Sequence, residues 1–101
     1  MIYHITQQLA WEQAVLKGEY TCDSLFTEGF IHTSTQQQVK GVYERYYKQQ
    51  SSLVVLCIDE SKLKTAAIFE ASTNGELYPH IYDAINLEAV VELCAIDRFL
   101  A

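Results

Sequence analysis

The chain has three histidines, His4, His32 and His80, each alone among apolar or aromatic residues in the stretches YHIT, GFIHTST and GELYPHIY. Imidazole gives or takes a proton near neutral pH and also ligates metals, so three chemistries are open to such a set. Strands that bring the rings together would build a mostly apolar ligand pocket with a few placed polar groups. A zinc ion on three imidazoles would keep a fourth position for water, but the close spacings that mark such sites, HxH and HExxH, do not occur. The third reading is structural: a histidine in an apolar stretch satisfies its ring nitrogens on backbone carbonyls inside the core.

Residues around the histidines extend the candidate set. Alternate residues of a strand share a face, so His4 lies with Ile2, His32 with Phe30, and His80 between Tyr78 and Tyr82. Thr6, Thr33, Ser34 and Thr35 place hydroxyls just after the first two histidines. Glu70 (IFEAS) and Glu76 (GELYP) are the acids embedded in apolar sequence, where a carboxylate can orient an imidazole or exchange a proton. Their plainer reading is an outward strand position for Glu70 and a solvated turn for Glu76.

The elements that must hold these residues are legible in outline. Residues 2–5 read as a strand, Thr6 as a helix N-cap, and QQLAWEQAVLKG as a helix with Leu9, Trp11, Ala14, Val15 and Leu16 apolar and Gly18 at its end. EYTCDSLFTEG reads as irregular and FIHTS as a strand. Thr35 and Gln38 have capping-box spacing, and behind them Val39, Val42, Tyr43 and Tyr46 form one helical face. LVVLCI is a strand buried on both faces, AAIFEAS another, and Asn74-Gly75 a hairpin turn. ELYPHIY is extended, with Pro79 pointing to an edge or a bulge because it cannot donate to a ladder. Asn86 caps a turn before AVVELCAI, the last strand. Two early helices with most strands following is an α+β pattern, with the helices packed on small, mostly antiparallel sheets.

Composition narrows the function. With 101 residues the chain makes one domain, residues 1–101, with a single unstapled core. No apolar run approaches the ~20 residues of a membrane span, and the N-terminus lacks the basic and apolar parts of a secretory signal. Cys22, Cys57 and Cys94 are odd in number and form no CxxC, which fits a reducing, cytoplasmic setting. The net charge is −6 and the arginines are Arg45 and Arg98, so the chain offers no basic surface for nucleic acid. A small-molecule ligand is the expected partner.

YHIT before a Trp-containing helix, then GFIHTST, LVVLCID and GELYPHIY in that order, resemble the family called domain of unknown function 952 over essentially the whole chain. The chain departs from that pattern at Asp83, where the family places glycine. The family is similar in fold to the ADP-ribosyltransferase superfamily, with two small sheets around a cleft. That resemblance implies an NAD-like nucleotide as ligand and a transferase as activity. It implies a first ligand-orienting group at His4, a second at His32 with Ser34, and a third at Glu76 or His80. The catalytic expectation is thus His4, His32, His80 and Glu76, with Thr6, Phe30, Ser34, Thr35, Tyr78 and Tyr82 facing the ligand. A noncatalytic module binding a metabolite or peptide, or a three-histidine metal site, is the alternative.

Overall fold

The computed structural model describes residues 1–101 as an α+β fold of four α-helices and three antiparallel sheets. Strand β1 (Ile2–Gln7) runs into α1 (Gln8–Lys17), followed by β2 (Glu19–Tyr20), α2 (Asp23–Thr27), β3 (Ile31–His32) and α3 (Gln36–Tyr46). Then come β4 (Leu53–Ile58), β5 (Ile68–Ala71), β6 (Leu77–Ile81), β7 (Ile85–Asn86), β8 (Val90–Ala95) and α4 (Ile96–Leu100).

The main sheet has the order β1-β4-β8. Its centre, β4, is buried at every position, as its continuous apolar sequence requires. Strand parity divides it between two cores. Val54, Leu56 and Ile58 pack with Ile2, Tyr20, Ile31, Ile81 and Ile85 on one face, beside Ala14 of α1. Leu53, Val55 and Cys57 pack on the other with Ile5 and Val39, covered by Val42 and Tyr43 from α3, Tyr47 just past its end, and Phe99 from α4. A second sheet has the order β3-β6-β5, and β2 pairs with β7 as a short ribbon. The second sheet is joined to the main one through Tyr3 and Ser34, whose backbones exchange two 2.8 Å hydrogen bonds.

Several expectations change. Thr6 is not a helix cap: β1 continues to Gln7, and the Thr6 side chain is buried. In α1 only Ala14 is fully buried, and Leu9, Val15 and Leu16 are exposed. Residues 19–29 hold β2 and α2 rather than irregular chain, and the last strand gives way to α4 at Ile96. Pro79 lies in the middle strand of its sheet, not at an edge. Its carbonyl accepts from the Thr33 N–H at 3.1 Å and the Thr33 hydroxyl at 2.7 Å. N and C=O of one strand residue point the same way, so the missing N–H faces a position just past the end of the two-residue β3. Asp83 needs no glycine-like backbone: its φ is ordinary and its carboxylate accepts from the Ala84 N–H at 2.7 Å.

Candidate functional site

The histidines separate into two environments. His4, on β1, is 6% exposed, and both ring nitrogens are engaged inside the protein: Nδ1 lies 2.6 Å from the His32 carbonyl and Nε2 2.7 Å from the Tyr20 hydroxyl. Tyr20 is also 2.9 Å from Thr6 Oγ1. A neutral ring must donate Nδ1–H to the carbonyl, so Nε2 accepts the Tyr20 O–H and Tyr20 accepts from Thr6. Proton uptake would reverse the chain, with Nε2–H donating to Tyr20 and Tyr20 donating to Thr6 Oγ1. Burial pushes the His4 imidazole down to about 4, so the neutral arrangement holds at neutral pH. His4 borders the same cleft as the other two histidines, but both of its ring nitrogens already have partners inside the protein, and the three imidazoles do not group as metal ligands.

His32 and His80 do come together. They are direct cross-strand partners on β3 and β6, with ring centroids 5.5 Å apart. Phe30 stacks on His80 at 4.0 Å and 20° and meets His32 at 4.7 Å. Each ring has its own carboxylate. His32 Nε2 lies 3.2 Å from both oxygens of Glu28, an exposed pair. His80, its side chain 11% exposed, sits with Nδ1 2.7 Å from Glu70 Oε1. The same oxygen accepts the Tyr82 hydroxyl at 2.5 Å. The Tyr82 bond, then the His80 bond, hold the Glu70 carboxyl below its ordinary range. Because Nδ1 faces a carboxylate, the neutral His80 ring donates there and keeps its lone pair on Nε2.

His32, His80, Phe30, Ser34 and Tyr78 line one cleft of about 720 Å3 between α3 and the β3-β6-β5 sheet. Val42, Arg45 and Tyr46 of α3, with Tyr47 just past its end, form the opposite wall. A smaller hollow of about 150 Å3 beside Gly18 and Lys64 holds none of the candidate residues. The remaining expected residues lie outside the cluster. Thr6 is part of the buried Tyr20 chain. Thr35 forms the capping box of α3, in which the Gln38 side-chain oxygen accepts the Thr35 N–H at 3.0 Å. Tyr82 reaches the cluster only through Glu70 and Phe30. Glu76 is exposed in the β5–β6 loop, where Asn74 and Gln38 side chains contact it, and no histidine does. Its place beside His80 is taken by Glu70. Glu28, Tyr20 and Arg45 are absent from the set the sequence supplied, and Glu70 was weighed there beside Glu76 without being assigned to His80. The signal that singled Glu70 out was its apolar neighbours, and the other three carried none.

This geometry can be set beside known proteins. A family model described as protein of unknown function (DUF952) matches residues 5–93. The chain belongs to that family. The DUF952 fold here resembles the crystal structure of protein CC0527 from Caulobacter crescentus, with 26% identity, 93% of this chain and 83% of that one covered, and a TM-score of 0.86. The solution NMR structure of the same protein gives 26% identity, 93% and 82% coverage, and a TM-score of 0.75. No curated protein matches the chain. No helix of this DUF952 protein is long and apolar enough to cross a membrane.

Proposed function

We propose that the cleft between α3 and the β3-β6-β5 sheet binds a small organic ligand and that the His80–Glu70 pair moves a proton on it. One observation carries this reading: a histidine in the cleft wall, packed under Phe30, is fixed through Nδ1 by a carboxylate, which leaves Nε2 to accept a proton. A carboxylate that holds one nitrogen of an imidazole fixes its tautomer and orientation, the arrangement general-base histidines use. The ADP-ribosyltransferase-like reading belongs to the same proposal. It makes an NAD-like nucleotide the first ligand class to test, with His32 and His80 acting in the cleft and His4 supporting it from behind through the His32 carbonyl. The flat stacking of Phe30 on His80 also suits a fixed wall, and a ligand bound without conversion would favour the noncatalytic module.

The test is a titration with NAD, ADP-ribose and nucleoside monophosphates, followed on the imidazole NMR signals. We expect the His32 and His80 signals to move together and the His4 signal to stay in place. An intact fold in which neither cleft imidazole responds to any of these ligands rules out the nucleotide version. The proton role has its own readout, since the ring 15N shifts should show His80 protonated on Nδ1 in the wild type. In Glu70→Leu that preference should vanish, and a tautomer indifferent to Glu70 counts against the pair.

A further inference from the structure

We propose that Arg45 is the anion-recognising group of this cleft, and that the ligand carries a single oxyanion, a carboxylate or a phosphate monoester. The proposal deepens the binding reading and rests on the cleft being the site. Arg45 is the one lysine or arginine in the cleft wall. The chain has 13 acidic and 7 basic residues, so carboxylate partners are plentiful, yet Arg45 forms no ion pair. Its contacts are neutral: Nη2 donates to the Tyr78 hydroxyl at 3.1 Å, and Cζ lies 5.8 Å from the centroid of the Tyr46 ring.

Gly41 gives the second line of argument. It sits one turn before Arg45 inside α3, where glycine is the poorest helix former after proline. Its backbone is not among the left-handed positions, so conformational freedom is not what it supplies. What it supplies is room. A Cβ there would come within 3.0 Å of Arg45 Nη1 and 3.7 Å of Cζ. The guanidinium therefore lies across bare backbone, held by tyrosines and free of carboxylates. A guanidinium is a planar fork of donors matched to the two oxygens of a carboxylate or phosphate. Tyr78 is two residues from His80 on the same face of β6, about 7 Å along the strand, so the anion anchor and the proton-handling ring serve one small ligand. With one cation in the wall, the cleft matches one oxyanion, which among nucleotides ranks a monophosphate above the pyrophosphates of NAD and ADP-ribose.

The experiment compares matched probes that differ in charge: phenyl phosphate against phenol, and benzoate against benzyl alcohol. Binding is read on the Arg45 side-chain Nε signal and on the His32 and His80 imidazoles. In the wild type each anion should bind at least about tenfold more tightly than its neutral partner, the scale of one charge-assisted contact. Arg45→Gln should remove that difference, and Arg45→Lys should restore only part of it. Gly41→Ala should keep or raise the melting temperature, because alanine favours helix, while weakening anion binding with the arginine still present. An anion preference that survives in Arg45→Gln overturns the proposal, as do anions and neutral probes binding the wild type equally. In both cases imidazole shifts still uphold the cleft. An Arg45 response without any imidazole response keeps the anion site and removes the function proposed for the histidines. Silence at both overturns both.

Discussion

Burial pushes the His4 imidazole down to about 4, although its bond to the His32 carbonyl acts in the opposite direction. A depressed histidine pKa means that the unfolded chain binds the proton first, so stability is complete above the ordinary value of about 6.5 and drains away as pH falls through the folded value. Between about pH 7 and pH 4.5 the loss from His4 alone should be on the order of 2–3 kcal/mol. His4→Gln can still offer an N–H to the His32 carbonyl but has no proton to take up. Urea midpoints measured at both pH values should therefore fall further for wild type than for His4→Gln, and parallel losses would contradict a sealed, neutral ring. Glu70, lowered by Tyr82 and then His80, behaves alike in both proteins and cancels in the comparison. Sequence placed His4 and His80 in similar apolar settings, and nothing local to YHIT reveals Tyr20, which arrives from β2 sixteen residues later to close the second nitrogen. The pairing of His32 with His80 was likewise hidden, since a two-residue strand carries almost no periodic signal.

At the scale of elements, Gln38 fastens the first turn of α3 to the β5–β6 hairpin. Its side-chain oxygen accepts the Thr35 N–H at 3.0 Å, and its amide nitrogen donates to the Leu77 carbonyl at 2.9 Å. Gln38→Ala removes both and should cost about 1–2 kcal/mol, with faster amide exchange at the start of α3 and in the hairpin. A loss confined to α3 would show that the Leu77 contact contributes nothing. The capping box and the helix behind it were legible because the cap spacing and the apolar period agree. Even there one position moved, for Tyr46 is exposed and Tyr47 packs in its stead. The hairpin shows why Glu70 was not placed beside His80. Asn74-Gly75 marks the turn, but the loop is Thr73–Gly75, three residues with Gly75 at φ 85°. That length pairs Glu70 with Tyr78 and Ile68 with His80. A two-residue turn at the same dipeptide would slip the register by one and send Glu70 to the opposite face. Two short helices, α2 and α4, were missed for a different reason: five residues is too little for a helical period to show.

Across the whole molecule, composition and strand sequence determined much of what was found. A net charge of −6 set the expectation that no polyanion is a partner, and LVVLCI announced a central strand. The sequence did not reveal that this strand would serve two cores, because parity matters only once helices cover both faces of the sheet. That arrangement makes β4 the costliest element to damage. Leu56 is 0% exposed, faces the core that includes Ile2, Tyr20 and Ile81, and pairs across the ladder with His4 on one side and Leu93 on the other. Leu56→Ala leaves a cavity in rigid surroundings and should cost about 2–5 kcal/mol. For a domain whose whole stability is about 5–15 kcal/mol, that lowers the melting temperature by roughly 10–25 °C. Leu93 occupies the same ladder row but is 39% exposed on the edge strand β8. Leu93→Ala should therefore lose about 1 kcal/mol or less, a few degrees. The two variants remove the same atoms from paired positions, so their difference measures burial and not side-chain chemistry. Melting curves that fall equally would mean that β4 is not the strand on which both cores are built.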